Sequence, residues 1–348
     1  MPLMVMSLLR SVGVAALFLF FLTAEAATDA VQDSIMRAEA DAFLSSMPEG
    51  LQTRQTLAIR RAMAGDYGPL ESVRSARKVA SALPEGVVRT DVAPGMTLFR
   101  SEEHMNDKIP LLVYFHGGGW TIGSINSCSR YCAAMALNGV AVLAVDYRLA
   151  PEHPYPLGLK DCIAAAKYAL DHKEEWNVSA ISLGGDSSGG NLAIATAMSF
   201  PKDTFSSLVA FYPVTRAYAD GSESWREYRD GFGLDSSLME AFNDAYTSDI
   251  HNPLVSPLEA DSETLSKLPP TLLVAAERDI LRCQGADFTD KLIKAGVPVK
   301  HIVLPGTVHL FITVDGQPTA FSHAVRLSSD FLNETSVPFA ECQNKSCV

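Results

Sequence analysis

From residue 110 onward, short apolar runs alternate with longer stretches of helical periodicity. Leu111-Leu112-Val113-Tyr114-Phe115 is uninterrupted, as expected of a strand buried on both faces. Val140–Val145, Ile181–Leu183, Leu208–Phe211, Thr271–Ala275 and Val299–Leu304 read the same way. Between them, Ser127–Leu137, Leu157–His172, Leu192–Phe200, Cys283–Ala295 and Phe321–Leu332 carry apolar residues at helical spacing. Strands alternating with helices predict an α/β fold, with a mostly parallel sheet covered by helices on both faces. In such sheets the working residues collect at the carboxyl ends of the strands.

Three regions depart from this rhythm. Residues 29–81 read as amphipathic helix, with Ile35, Ala38, Ala42 and Phe43 on one stripe and a break around Gly65–Pro69. Val87–Arg100 reads as two short strands around Pro94-Gly95. Thr215–Pro270 is too long for a plain crossover and carries Trp225, Tyr228, Phe232, Phe242 and Tyr246. It is expected to be an insertion that caps the sheet with the N-terminal helices, its aromatics mostly packing the cap. The expected organisation is a leader over 1–26, cap helices over 27–86, a catalytic domain over 87–334 with its cap insertion at about 215–270, and a polar tail over 335–348.

Composition narrows the classes. A hydrophobic content of 47% supports a packed core. The net charge of −12, with no basic face, argues against nucleic acid. Arg10 precedes an uncharged run, Ser11–Ala24, and Ala24-Glu25-Ala26 offers small residues around a cut. Export to a secreted or periplasmic location is expected, with retention as an N-terminal membrane anchor the alternative. The run is too short for a stable span. Cys342 and Cys347 could close a small disulfide loop after export, whereas Cys128 and Cys132, four apart, should share a helix face and pack as small hydrophobes. No cysteine and histidine spacing suggests a metal, and no cofactor is expected.

Chemistry concentrates in a few loops. Ile181–Leu183 runs into Gly184-Gly185-Asp186-Ser187-Ser188-Gly189-Gly190 and then an alanine-rich helical stretch. Gly-x-Ser-x-Gly between strand and helix is the context of a nucleophile elbow, in which Gly185 and Gly189 leave room for a tight turn and Ser187 stands clear of the sheet. His116-Gly117-Gly118-Gly119-Trp120 follows the Leu111 strand, and its glycines leave backbone N–H groups open to a developing oxyanion. A serine nucleophile needs a base and an acid to orient it. Asp279 follows the Thr271 strand, with Glu277 as the rival acid. His309 follows the Val299 strand, whereas His251, His301 and His323 fall in the insertion, a strand pattern and a helical pattern.

HGGGW, the run Asp146–Pro156 (DYRLAPEHPYP), GDSSGGN, ERDIL and a late His-x-Phe, in that order, closely resemble the hormone-sensitive-lipase-like esterases. The resemblance covers about Val87–Leu332. It implies an α/β-hydrolase fold with a helical cap, and an enzyme that cleaves short-acyl carboxylic esters through an acyl-enzyme. It implies Ser187 as nucleophile, Asp279 as acid, His309 as base, and the N–H groups of Gly118, Gly119 and Ser188 as the oxyanion hole. It also makes His116, Arg148 and Glu152 scaffolding behind the site, the latter two in a structural ion-pair network. Trp120 is expected to border the pocket. Two positions depart from the family pattern: Ser188 stands where alanine is commoner, and Leu310 where glycine is usual. An amidase or deacetylase acting on small acylated amines is the alternative enzyme, and a ligand receptor without turnover the alternative class. The expected partner is a small ester, and a homodimer is left open.

Overall fold

The computed structural model describes residues 30–78 and 82–336. The expectations for the leader, the 342–347 loop and the last residues of the tail lie outside them. The strands are β1 (Val87–Ala93), β2 (Met96–Ser101), β3 (Ile109–Phe115), β4 (Ala141–Val145), β5 (Val178–Asp186), β6 (Leu208–Phe211), β7 (Thr271–Arg278) and β8 (Val299–Val308). They form one sheet in the order β1-β2-β4-β3-β5-β6-β7-β8. β2 runs antiparallel to β1 and β4, and every pairing from β4 to β8 is parallel.

Every residue of β3 is buried, because both faces of the sheet are covered. Leu111, Val113 and Phe115 belong to the buried layer that also holds Leu192 and Ile194 of α6 (Ser188–Met198), residues of α5 (Leu157–Asp171), and Phe288 of α10 (Arg282–Lys294). Leu112 and Tyr114 face the opposite layer, with Cys128 and Tyr131 of α4 (Ile125–Leu137) and Phe321 and Ala324 of α11 (Pro318–Ser336). Cys128 and Cys132 are buried free thiols with their sulfurs 3.7 Å apart on α4.

The N-terminal region divides. The helix over 30–46, α1, is tied to the end of the sheet through Arg37–Glu277 and Asp41–Arg278, and to α11 through Glu39 and Thr319. α2 (Leu51–Met63) and α3 (Gly68–Arg77) pack together, and α2 packs on α8 (Ser236–Tyr246) of the insertion. The insertion also holds the short helices α7 (Glu223–Glu227) and α9 (Ser262–Leu265). Helices α2, α3 and α8 thus roof the carboxyl ends of the strands. Among the described residues no helix is long and apolar enough to cross a membrane.

Candidate active site

The residues singled out from the motifs occupy equivalent places. His116 follows the last residue of β3, Ser187 that of β5, Asp279 that of β7 and His309 that of β8. A parallel sheet turns all these ends the same way, so residues distant in sequence converge.

At the β5–α6 turn, Ser187 adopts φ 55 and ψ −119, a conformation that L-residues rarely hold. Its backbone is pinned: Ser187 N donates to Phe211 O at 2.9 Å, and its carbonyl accepts from Asn191 N at 3.1 Å and Val214 N at 3.2 Å. The turn is too tight for neighbouring side chains. A Cβ on Gly185 would lie 2.4 Å from the Gly189 backbone, and one on Gly189 would lie 2.0 Å from Phe115 O.

His309 Nε2 lies 3.2 Å from Ser187 Oγ, and His309 Nδ1 lies 2.6 Å from Asp279 Oδ2. A carboxylate only accepts, so Nδ1 carries the proton donated to it, and Nε2 faces the serine hydroxyl. His309 and Asp279 are 2% and 1% exposed, which shields their hydrogen bond from water. Asp279 Oδ1 also accepts from Leu281 N at 2.9 Å, which fixes the carboxylate while its other oxygen meets the histidine. Glu277 points elsewhere, pairing with Arg37 and accepting from Gly306 N. His251 is exposed, while His301 and His323 lie on β8 and α11.

Gly118 and Gly119 have φ 116 and 58 and line the same cavity as Ser187. Among the described residues, the N–H groups of Gly118, Gly119 and Ser188 have no acceptor within the chain. A Cβ on Gly119 would lie 2.0 Å from the Phe242 ring, so only glycine fits beneath the cap. Gly117 is engaged instead: its N–H donates to Asp186 Oδ1 at 3.0 Å. Asp186 also accepts from Tyr114 Oη and Thr313 Oγ1. His116 stacks on Tyr147 at 4.4 Å and holds Gly117 O through Nδ1 at 2.8 Å. Burial pushes its pKa down, opposed by the charge of Asp146.

The expectation for Trp120 needs correction. Trp120 is 1% exposed and does not line the cavity; its ring lies flat on Tyr246 of α8, 4.3 Å away, because the cap helix covers it. Arg148 and Glu152 each sit in a structural ion pair, with different partners. Arg148 pairs with Asp161 of α5, and Glu152 pairs with Arg74 of α3. The aromatic from the insertion that reaches the cavity is Phe242, beside Leu234 and Leu238. Leu310 holds φ 76, a left-handed backbone that explains why glycine is usual there.

Gln317 had no signal in the sequence. It is 1% exposed, and its amide accepts from Val308 N at 3.0 Å and donates to Val308 O and His309 O. It fixes the loop that carries the imidazole. Among the described residues no cluster of ligands could hold a metal ion.

A family model for the alpha/beta hydrolase fold matches residues 112–313. The chain belongs to this family, as a hormone-sensitive-lipase-like member. It is 36% identical over 219 residues to the carboxylesterase NlhH of Mycobacterium tuberculosis, covering 60% of this chain and 68% of that one. It is 32% identical over 257 residues to the putative alpha/beta hydrolase R526 of Acanthamoeba polyphaga mimivirus, covering 71% and 73%. Among solved structures, a thermostable esterase from Pseudomonas putida superposes with a TM-score of 0.71 at 28% identity, over 86% of this chain and 96% of that one.

Proposed function

We propose that this α/β-hydrolase is a serine carboxylesterase acting on short-acyl esters. One observation carries the reading: an unbroken hydrogen-bond chain from Ser187 through His309 to Asp279, set beside three uncommitted backbone N–H groups. Ser187 Oγ attacks the ester carbonyl carbon as its proton passes to His309 Nε2. Asp279 holds the tautomer and stabilises the imidazolium. The carbonyl oxygen becomes an oxyanion and takes hydrogen bonds from Gly118, Gly119 and Ser188. Each such donor is worth about 3 kcal/mol in the transition state. The tetrahedral intermediate collapses, His309 returns the proton to the departing alcohol, and an acyl-enzyme remains. Water, deprotonated by His309, then releases the acid and restores the serine.

The short-acyl preference rests on the cavity. Only about 50 Å³ is open to the centre of a water molecule between Phe242, Leu234, Leu238 and Ile122. The esterases among the relatives and structural neighbours support the reaction class. Export remains part of this proposal and rests on the apolar run and small residues near Ala26.

The test is a series of p-nitrophenyl esters from acetyl to decanoyl, beside the matching anilides. Acetyl and butyryl esters should be cleaved fastest, with kcat/KM falling as the acyl chain lengthens and the anilides slow. A chain that cleaves no ester, or prefers anilides, overturns the proposal.

A further inference from the structure

The cap wall of the catalytic cavity carries polar groups that the mechanism does not use. Arg77, the last residue of α3, lines the cavity with Ser187 and is half-buried. Its guanidinium makes no hydrogen bond or ion pair with any described residue. Among the described residues, the two buried arginines differ. Arg74 reaches Glu71, Glu152 and two backbone carbonyls, and Arg100 reaches three carbonyls. Burial lowers the Arg77 pKa, and the charge of Asp186 offsets this only in part. Asp186 is already met by Tyr114, Gly117 and Thr313. The backbone of Arg77 is held to α4, because Ser124 Oγ donates to its carbonyl at 3.0 Å.

Beside it, Gln55 of α2 is 7% exposed and lines the same cavity, and its side-chain amide has no partner among the described residues. Ser127 accepts from Ser124 N and keeps its own hydroxyl proton uncommitted. A cation, an amide and a hydroxyl thus face one space, all able to donate. Arg77 and Gln55 also border an apolar groove between α2 and α3, walled by Leu51, Ala58, Val73 and Ala76.

We infer that the substrate is an ester bearing a carboxylate, received by Arg77 with Gln55 at the cap side of the cavity. A guanidinium binds a carboxylate through two parallel N–H donors, and the pairing is strong where water is excluded. Removing such a partner from a desolvated site leaves a buried charge unmet, which gives selectivity against neutral esters of the same shape. The inference rests on the esterase reading, and its test separates the two.

The full chain is assayed on two matched pairs. Monoethyl glutarate against ethyl pentanoate places the carboxylate on the acyl side, and 4-acetoxybutanoate against butyl acetate places it on the alcohol side. For one pair, kcat/KM for the anionic ester should exceed that for the neutral ester by roughly tenfold or more. Arg77→Met should collapse that ratio, and Arg77→Lys should keep part of it. No preference in either pair, or an Arg77→Met variant that lowers both esters equally, overturns the inference and leaves Arg77 a counter-charge for Asp186. Calorimetric binding of glutarate reads the same site without turnover. Binding weakened roughly tenfold or more in Arg77→Met supports the inference, and binding absent or equal in both proteins overturns it. Failure on every ester, with glutarate still bound through Arg77, would count against the esterase reading alone.

Discussion

Arg74 and Glu152, 78 residues apart in the chain, meet in a two-armed ion pair at 2.6 and 2.8 Å. The same guanidinium donates to Thr121 O and Ala150 O, both at 2.8 Å. One cap residue therefore clamps the loop after β3 to the loop after β4, two residues from the N–H of Gly119. Arg74→Met would leave two buried carbonyls and a partly buried carboxylate unmet. It should lower unfolding free energy by about 3–5 kcal/mol, measured by urea denaturation. Glu152→Gln keeps hydrogen-bonding capacity at a side chain 29% exposed, and should cost about 1 kcal/mol.

The two carboxylates of the β7 loop should separate cleanly. Asp279→Asn can no longer hold the Nδ1–H tautomer and should reduce kcat by about 10⁴-fold. Glu277→Gln breaks an ion pair to α1, 34% exposed at the glutamate, and should leave kcat within about threefold. Steady-state kinetics on p-nitrophenyl butyrate reads both. A large loss in Glu277→Gln with little in Asp279→Asn would reverse the assignment.

Gly119 should be intolerant for a local reason. Alanine there must hold φ 58 and place Cβ 2.0 Å from the Phe242 ring. The loop has to shift, taking an oxyanion donor with it. Gly119→Ala should lower kcat about 10²-fold or more, with KM less affected. Adding Phe242→Ala removes the clash and should restore part of kcat. No recovery in the double variant would place the fault in backbone strain alone.

Acid should destabilise the fold in part through His301 on β8. Burial lowers its pKa from the ordinary 6.5, opposed by the charge of Asp290, and its Nε2 has no hydrogen-bond partner among the described residues. Below about pH 6.5 the unfolded chain takes up a proton that the folded chain refuses. Stability is therefore lost as pH falls from the unfolded value toward the lower folded one. His301→Val suits the strand and removes this term. Melting temperatures at about pH 7.5 and pH 5 should show the variant gaining on the wild type as pH falls. A constant difference would contradict the assignment.

Much of this fold can be read from sequence because it depends on local signals. Strands buried on both faces need unbroken apolar runs, and β3, β4 and β6 lie where those runs lie. β5 and β8 run further, to Asp186 and Val308, because polar and glycine residues continue the pairing up to the site. Ser187, Asp279 and His309 stand out because each directly follows a strand. Arg74, Arg77 and Gln55 do not, since they sit in ordinary amphipathic helices and acquire meaning only when the cap folds over the sheet. The partner of Glu152 is hidden for the same reason: it is a helix residue far upstream, while nearby Arg148 takes Asp161. Trp120 misleads because position beside an oxyanion loop says nothing of which way a large ring packs.

The most direct measurement is kcat of Ser187→Ala on p-nitrophenyl butyrate, with circular dichroism confirming that the variant is folded. The account expects a fall of more than about 10⁴-fold. A folded Ser187→Ala that cleaves the ester near the wild-type rate would contradict it.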